Sequence, residues 1–524
     1  MKKLIYYFLI LALVPAINSC KKNLLDKEPL DSISDKDVFA SPENAALFVN
    51  NIYAGLPNGF QRGSYLLTSA TSDAENSYPW TNSHIFNRGE NNPSNTPNND
   101  WVSSYRQIKN CNEFFANIGQ VTGNDVLINN LKGEVLFLRA FYYAELHKRF
   151  GGVPLITKVL TLDDDFLQDR ATADQVVDFI VKELDAAAAL LPKKYTGKDI
   201  GRATKIAALA LKGRVLLYAG KFTESFAASK AAIDEGLANG YNLYTPYDMI
   251  FLDNNNKEII FDKQLPLLAI NCSGNRQDRN NTPVGYGGWG GTGPTQNFVD
   301  AYEMQATGKP ITDPASGYNP NNPFAGRDPR FDQSVLHNGS PWKGRPVDTK
   351  ENGLDKPNGN GDATKTGYYI RKFMDESVVD VNAICGKADW ILIRLGEVYL
   401  NYAEAKLKLN DAEEARTWVN KIRTRAGMPN IPVGQMTWDR YMNERRVELS
   451  FEEHRFWDVR RWKVAEITEI EPVFGMRITS VGGVLTYTRY KWEDRKFDKT
   501  KHYLFPIPQS ERDKNPNLSQ NPGW

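Results

Sequence analysis

A pair of apolar helical segments joined by a short turn constrains the fold of this chain more than any other feature. Residues 203–219 and 223–236 each carry a helical pattern of apolar positions. Small and aromatic residues stand where a tetratricopeptide unit, a pair of antiparallel helices of about 34 residues, places them. They are Gly213, Gly220, Phe222 and Ala232. Because one such unit cannot cover its own apolar face, several must stack.

Similar helix pairs are predicted on both sides of this one. Residues 131–150 and 172–191 form an earlier, divergent pair, and residues 395–422 contain a later pair. Further helices are predicted from Pro42 onward, over residues 101–118 and over residues 436–465. We therefore expect a mainly α fold of stacked tetratricopeptide-like helix pairs.

The segment between the last two helix pairs has a different composition. Residues 245–390 are rich in Gly, Asn, Pro and Asp, with strand-like pieces at 258–262 and 367–373, and the helices resume at Trp390. An earlier stretch, 57–100, is likewise dense in Asn, Ser, Pro and Gly. Loops this long within a folded chain are usually functional or disordered. We predict that a loop-rich region, residues 245–390, is inserted into the helical frame.

The N-terminus has the layout of a secretory signal. Lys2 and Lys3 precede an apolar run over residues 4–14, which is too short to span a membrane, and Cys20 closes the segment. The cysteine makes the segment resemble a bacterial lipoprotein signal, which implies that Cys20 becomes the first mature residue and carries acyl chains. The alternative is an ordinary signal peptide that is cut elsewhere. The predicted parts are a signal peptide (1–19), a lipid-anchored tether (20–40), a helical part (41–244), the loop-rich region (245–390) and a C-terminal part with the last helix pair (391–524).

The charge balance and the cysteines exclude several classes of protein. Lysine and arginine total 64 and aspartate and glutamate 63, so no basic field is available to hold a nucleic acid. Besides Cys20, the chain contains Cys111, Cys272 and Cys385, which are far apart and odd in number. They predict neither a disulfide framework nor a CxxC zinc pair.

A search for catalytic patterns yields little. The five histidines show no metal-binding spacing, and no HExxH motif occurs. Residues 285–290 spell GxGxxG, but they follow no clear strand and precede Pro294 rather than a helix, so no dinucleotide site is predicted. Neither a GxSxG elbow nor a Walker loop is present. We predict no catalytic residue, metal or cofactor, although a pair of carboxylates suited to glycoside hydrolysis stays open.

The abundance of aromatic residues favours ligand binding instead. The chain contains 11 Trp, 24 Tyr and 25 Phe, several of them in segments too rich in Gly, Asn and Pro to be core. A neutral sugar offers a ring face that an aromatic side chain covers and hydroxyls that need amide, carboxylate or guanidinium partners. Residues 73–101 and 275–297 combine such side chains on loops. The candidate ligand-binding residues are Trp289, Tyr286, Trp80, Asp73, Asn76, Trp101, Arg276 and Arg371.

Trp289 is the leading candidate among these residues. It lies among five glycines, which are expected to leave its ring open to a ligand. The alternative is that the ring folds back as a lid on the local core. Arg371 ends a short predicted strand and is expected to point to the same face.

The charged residues of the last long predicted helix favour a structural role. Within residues 444–462, arginines and carboxylates have spacings that permit (i, i+3) and (i, i+4) ion pairs. They include Arg445, Arg446, Glu448, Glu453, Arg455 and Asp458. Together with neighbouring aromatic residues, they predict a network that fixes this helix to the repeats.

Four segments of the chain together resemble one protein family. They are residues 134–143 with 150–154, residues 394–405, residues 444–462, and residues 503–510 with 515–524. The third of them reads ERRVELSFEEHRFWDVRRW. With the lipoprotein-like start, they make the chain, from about residue 24 to its end, similar to the SusD/RagB family of outer-membrane nutrient-binding lipoproteins.

The resemblance implies a fold, a location and a partner. Members of this family combine stacked tetratricopeptide helices with an irregular ligand-facing half, and a lipid holds them on the outer face of a Gram-negative outer membrane. They cover a SusC-like, TonB-dependent β-barrel transporter as a hinged lid. We therefore expect a non-enzymatic receptor that captures an oligosaccharide and delivers it to such a transporter. The alternatives are a peptide-capturing receptor of the same architecture, a surface glycoside hydrolase and a tetratricopeptide adaptor that binds only protein.

Overall fold

The structure, a computed structural model, describes residues 38–61, 65–265, 275–357 and 362–524. The predicted signal peptide and almost all of the predicted tether, Cys20 included, lie outside these residues. Among the described helices, none combines the length and the apolar character that a membrane crossing requires.

Helices provide most of the regular structure, and most of the strands in the described residues are short. In the described residues the α-helices are α1 (Pro42–Ala54), α2 (Ser83–Asn87), α3 (Trp101–Asn117), α4 (Asp125–Phe150), α5 (Ala173–Leu190), α6 (Lys205–Tyr218), α7 (Phe222–Ala238), α8 (Gln277–Asn281), α9 (Gln296–Val299), α10 (Arg330–Ser334), α11 (Leu395–Lys408), α12 (Ala412–Arg425), α13 (Trp438–Glu448), α14 (His454–Arg461), α15 (Ala465–Thr468) and α16 (Gln509–Lys514). The strands are β1 (Ala74–Asn76), β2 (Ile259–Lys263), β3 (Thr292–Pro294), β4 (Val335–Leu336), β5 (Pro341–Trp342), β6 (Arg345–Pro346), β7 (Tyr369–Ile370), β8 (Trp390–Arg394), β9 (Val473–Val481) and β10 (Val484–Glu493). They form antiparallel pairs: β1 with β3, β2 with β8, β4 with β7, β5 with β6 and β9 with β10.

Side-chain caps fix the starts of several helices where the sequence predicts them. The hydroxyl of Ser41 accepts a hydrogen bond from the backbone N–H of Asn44 at 3.2 Å, and Pro42 lies in the first turn of α1. Thr172 and Gln175 form a capping box at the start of α5. These bonds satisfy backbone donors that the first turn of a helix leaves without a partner.

The predicted helix pairs form one continuous stack. Helix α4 packs against α5, α5 against α6, and α6 against α7. The later pair continues this stack because α11 packs directly on α7, although residues 239–394 separate them in sequence. The close approach of α6 and α7 requires Gly213, since a Cβ atom there would lie 2.4 Å from the hydroxyl oxygen of Ser229. The prediction of stacked, tetratricopeptide-like helix pairs is confirmed.

Two predicted element boundaries are wrong. The helices do not resume at Trp390, because strand β8 begins there and pairs with β2, and α11 begins only after this strand. The single helix predicted over 436–465 is divided into α13 and α14. Between them, Phe451 and Glu453 have φ values of +63° and +67°, which a right-handed helix does not allow.

The loop-rich half has an apolar core of its own. Buried members of this core include Phe298, Tyr302 and Tyr368. The hairpin of β9 and β10 packs beside it, and the sequence did not predict this hairpin. Its turn requires Gly482 and Gly483, which have φ values of +58° and +84°. The inserted half is therefore a packed body that can hold loops in fixed positions.

Buried ion pairs connect strand β8 with α13 and α13 with α14. Arg394 is 1 % exposed, and its guanidinium lies 2.7 Å from the carboxylates of three residues. They are Glu258, Glu448 and Glu452. Arg445 pairs with Asp458 at 2.7 Å across two helices. The predicted structural network is present, but these pairs join different elements instead of following one helix.

Candidate ligand-binding site

The two segments in which the sequence predicts ligand contacts lie side by side. Strand β1 pairs with β3, and Asn76 stands opposite Thr292. The backbone N–H of Ser77 donates to the carbonyl oxygen of Gly291 at 2.8 Å, which continues the pairing beyond the strands. The residues that follow β1 are therefore placed next to those that precede β3.

Tyr78 and Trp80 form the centre of this region. Their rings are stacked with a centroid separation of 5.1 Å and an interplanar angle of 4°. Tyr78 is 2 % exposed whereas Trp80 is 62 % exposed, so a buried ring supports an exposed one. Burial also raises the pKa of the Tyr78 phenol above its ordinary value, which keeps that ring neutral. An exposed tryptophan supported in this way is suited to cover the apolar face of another ring.

Trp289 lies against the same tyrosine from another direction. Its ring is 6.2 Å from the Tyr78 ring at an angle of 85°. The Tyr78 hydroxyl lies 3.0 Å from the carbonyl oxygen of Trp289 and 3.2 Å from that of Asn280. The Arg279 guanidinium lies 4.0 Å from the Trp289 ring centroid, and Trp289 is half-buried. We call Tyr78, Trp80 and Trp289 the aromatic platform.

The glycines around Trp289 shape the loop that carries it. Gly287 and Gly290 have φ values of +82° and +54°, which favour glycine. At Gly288 a Cβ atom would lie 2.2 Å from the carbonyl oxygen of Thr282. These residues let the loop fold back tightly on α8, so their main effect is to position Trp289 rather than to leave its ring open.

Tyr286 lies on the same loop but is held by a different contact. The Arg345 guanidinium lies 3.7 Å from the Tyr286 ring centroid, and the Tyr286 hydroxyl donates to the Arg345 carbonyl oxygen at 2.9 Å. Arg345 is itself paired with the buried carboxylate of Asp355 at 2.7 Å. Tyr286 is half-buried and precedes Trp289 by three residues on this loop.

Three predicted ligand-binding residues are placed inside the protein. Asp73 is 2 % exposed and pairs with Arg446 at 2.6 Å. Asn76 is 1 % exposed, and its side-chain oxygen accepts a hydrogen bond from the backbone N–H of Tyr78 at 2.9 Å. Trp101 is 4 % exposed and packs in the helical core. This corrects the sequence-based assignment, since these side chains support the site from within and do not face a ligand.

The two predicted arginines lie in different places. Arg276 is half-buried and directly precedes α8, next to the segment that carries Arg279. Arg371 is half-buried, and its guanidinium lies 3.4 Å from Glu376 and 5.6 Å from the ring centroid of the buried Trp342. Among the described residues, no contact is recorded between Arg371 and the aromatic platform.

A polar cavity of about 340 Å³ is lined in part by residues that follow Trp80 in the sequence. Its walls include Asn58, Asn82, Asn98, Asp100 and Ser103. Asn82 is exposed and follows Trp80 by two residues. Amide, carboxylate and hydroxyl groups of this kind are the partners that sugar hydroxyls require. The sequence did not single out these residues, nor Arg279 and Arg345, although the Asn-rich composition of residues 57–100 is a signal for the cavity.

The fold and the site together define a class of protein, a helical-repeat scaffold on which loops from both sides of helices α4–α7 in sequence display an aromatic surface. A family model described as "SusD family" matches residues 257–524, and one described as "Starch-binding associating with outer membrane" matches residues 24–217. The chain belongs to the SusD family, and the resemblance seen in its sequence is confirmed.

Individual relatives agree with this assignment over nearly the whole chain. A SusD-like protein from Bacteroides fragilis has a solved structure with 33 % identity and a TM-score of 0.82, covering 95 % of this chain and 100 % of that one. A SusD-like carbohydrate binding protein from the same species has 26 % identity and a TM-score of 0.80, covering 92 % and 99 %. SusD-like protein P38 of Formosa agariphila is 26 % identical over 500 residues, which are 90 % of this chain and 93 % of that protein.

Proposed function

We propose that this protein is a cell-surface receptor that binds an oligosaccharide at the aromatic platform and does not alter it chemically. The observation that carries the proposal is the exposed ring of Trp80, stacked on the buried ring of Tyr78 and placed beside Trp289. The SusD-like carbohydrate binding protein of Bacteroides fragilis, which is similar over almost its full length, supports the same ligand class.

The proposed contacts follow from the chemistry of a neutral sugar. The exposed face of Trp80 covers the C–H face of one sugar ring, and the half-buried Trp289 contacts a neighbouring ring. Asn82 follows Trp80 by two residues, and the Arg279 guanidinium lies 4.0 Å from the Trp289 ring centroid. These two side chains are proposed to form hydrogen bonds with hydroxyl groups at the edges of the sugar rings. Because Tyr78 anchors both tryptophans, the platform is preorganised, and little side-chain entropy is lost on binding.

Titration calorimetry of the purified protein against a panel of glycans tests this proposal. Trp80→Ala is expected to weaken binding of the best glycan by about tenfold or more, equivalent to about 1.4 kcal/mol. Phe166→Ala is the matched control, because Phe166 is 55 % exposed on a different loop. Both variants are expected to unfold at the wild-type temperature, since neither ring is buried.

Four outcomes contradict the proposal. One is that no glycan binds the wild type, and another is that Trp80→Ala binds as well as Phe166→Ala. Release of a new reducing end from a bound glycan would instead indicate a hydrolase. If only extended peptides bind, the protein is a peptide receptor of the same architecture.

We further propose that a lipid on Cys20 anchors the protein at the outer face of the outer membrane. The proposal is supported by the lipoprotein-like signal and by the outer-membrane association in the family description. In the native host, Cys20→Ala is expected to abolish incorporation of a palmitate analogue and to release the protein from the outer-membrane fraction. Labelling that persists in this variant would refute the anchor.

We also propose that the protein delivers its ligand to a SusC-like, TonB-dependent β-barrel transporter. Membership of the SusD family supports this partner. Capture of the tagged protein from detergent-solubilised outer membranes is expected to recover a β-barrel in equal amount. Recovery of the protein alone under gentle detergents would count against the partnership.

A further inference from the structure

Three side chains from distant parts of the chain converge beneath the aromatic platform. Glu75 comes from β1, His84 from α2 and Glu493 from the end of β10. One ligand atom from each, a carboxylate oxygen or an imidazole nitrogen, lies within 4.8 Å of the other two. Glu75 is 1 % and His84 7 % exposed, and Glu493 is half-buried.

The hydrogen bonding of His84 fixes which of its nitrogens faces the carboxylates. Its Nε2 lies 2.8 Å from the backbone carbonyl oxygen of Tyr78, which can only accept a hydrogen bond. In the neutral imidazole, Nε2 therefore carries the proton and Nδ1 carries a lone pair. That Nδ1 lies 3.4 Å from Oε1 of Glu75, so two electron-rich atoms face each other when Glu75 is ionised.

The converging atoms lack hydrogen-bond partners within the described residues. Oε1 of Glu75, Nδ1 of His84 and Oε1 of Glu493 are all buried, and none of them has a hydrogen-bond partner in the described part of the chain. Arg495 does not satisfy them, because its Nη2 binds the other oxygen of Glu75 at 2.7 Å and its Nε lies 3.6 Å from Glu493. Arg495 instead holds the Glu75 carboxylate in place with Oε1 turned toward His84. Buried polar atoms without partners are costly, so this arrangement calls for a cation among them.

We propose that Glu75, His84 and Glu493 bind one divalent transition-metal ion, with zinc as the representative case. One imidazole nitrogen and two carboxylate oxygens are ligands that zinc accepts. With metal–ligand bonds of about 2.1 Å, tetrahedral ligands lie about 3.4 Å apart, and the His84–Glu75 separation is 3.4 Å. Small rotations of the partly exposed Glu493 bring the third ligand to the same distance, and water completes the shell.

The surroundings of His84 support this assignment. A metal-ligating histidine usually donates its other N–H to a backbone carbonyl or a carboxylate, which orients the ring. The Tyr78 carbonyl plays that part for His84. The metal would thereby tie β1, α2 and β10 together directly behind the tyrosine that supports Trp80, and this positioning role rests on the proposed platform. Metal binding itself does not require any glycan.

Calorimetric titration of the purified, tag-free chain with ZnCl₂ tests the site, and the absorption spectrum with Co²⁺ reports its geometry. We expect one Zn²⁺ per chain and visible Co²⁺ bands typical of a low-coordinate nitrogen–oxygen site. His84→Gln and Glu493→Gln are expected to weaken zinc binding by about tenfold or more. His337→Gln is the control, because His337 is a half-buried histidine outside the cluster, where it pairs with Asp332 at 2.9 Å.

The proposal fails if the wild type binds no zinc in equal amount, or if His84→Gln binds zinc as the wild type does. It also fails if only Ca²⁺ or Mg²⁺ binds, or if His337→Gln abolishes zinc binding. If His84→Gln does not fold, Glu493→Gln decides the question, since its partly exposed amide keeps the size of the original side chain. All titrations are made without glycan, so failure of the metal site and failure of the glycan site are separate results.

Discussion

Replacement of Asp262 by Asn is expected to stabilise this protein, but only when the pH is high enough to ionise the aspartate. Asp262 lies in β2, is 4 % exposed and has one carboxylate oxygen without a partner. It borders a cavity of about 210 Å³. Burial, and secondarily the charge of Asp389, raise its pKa from 3.8 to about 7. The folded protein therefore disfavours the charged form that the unfolded chain adopts above pH 4.

The sign and size of the effect follow from this shift. Below pH 3.8 the carboxyl is protonated in both states and costs no stability. As the pH rises toward about 7 the cost grows, and above that value it is constant. A shift of about 3 pKa units corresponds to about 4 kcal/mol, which is an upper value for the gain at pH 8. The entropy of unfolding of a chain of this size is about 1 kcal/mol per kelvin, so this gain in stability raises Tm by about 2–4 °C.

Thermal unfolding of wild type and Asp262→Asn at pH 4 and pH 8 measures this gain. The variant is expected to unfold at a higher temperature at pH 8 and at the same temperature at pH 4. Asp185→Asn is the control, because that carboxylate is 55 % exposed and paired with Lys212, so its removal changes stability by about 1 kcal/mol at most. A gain of equal size at both pH values, or no gain at pH 8, would refute the reasoning.

Three further predictions concern the frame. Arg394→Leu leaves three buried glutamates without their shared partner and should lower the free energy of unfolding by about 3–5 kcal/mol. The control, Arg416→Ala, removes a partly exposed ion pair and should lower it by less than about 1 kcal/mol. Equal losses for the two variants in denaturant titrations would contradict this prediction. Gly213→Val should lower the free energy of unfolding by about 1–3 kcal/mol, and adding Ser229→Gly should recover part of the loss in thermal melts. An unchanged Tm for Gly213→Val would contradict the close approach of α6 and α7. Thr172→Ala should cost about 1 kcal/mol and speed hydrogen exchange at the start of α5, and unchanged exchange would count against the cap.

The helical frame was predictable because its signals are local. Caps such as Ser41 and Thr172 and the crossing glycine Gly213 each act within one or two turns of chain. The errors arose where distant segments decide the conformation. Trp390 looks helical in sequence, yet pairing with β2 makes it part of a strand. Phe451 adopts a positive φ within an otherwise helical pattern, which no local signal indicates.

The candidate site was only partly predictable for the same reason. The two segments singled out by composition do lie side by side, and Trp80 and Trp289 both lie against Tyr78. Exposure, however, depends on three-dimensional packing, so Asp73 and Trp101 were assigned to the ligand although both are buried. The convergence of Glu75, His84 and Glu493 spans more than 400 positions and has no counterpart in sequence spacing.

The direct packing of α11 on α7 affects how freely the inserted half can vary. Residues 239–394 connect α7 and α11, which pack on each other, so this segment is a closed loop with both ends at the same place in the helix stack. The entropy of closing such a loop grows only with the logarithm of its length, and doubling it would cost about 0.6 kcal/mol. A scaffold built this way can accept a larger or smaller inserted body with little thermodynamic penalty at the point of attachment.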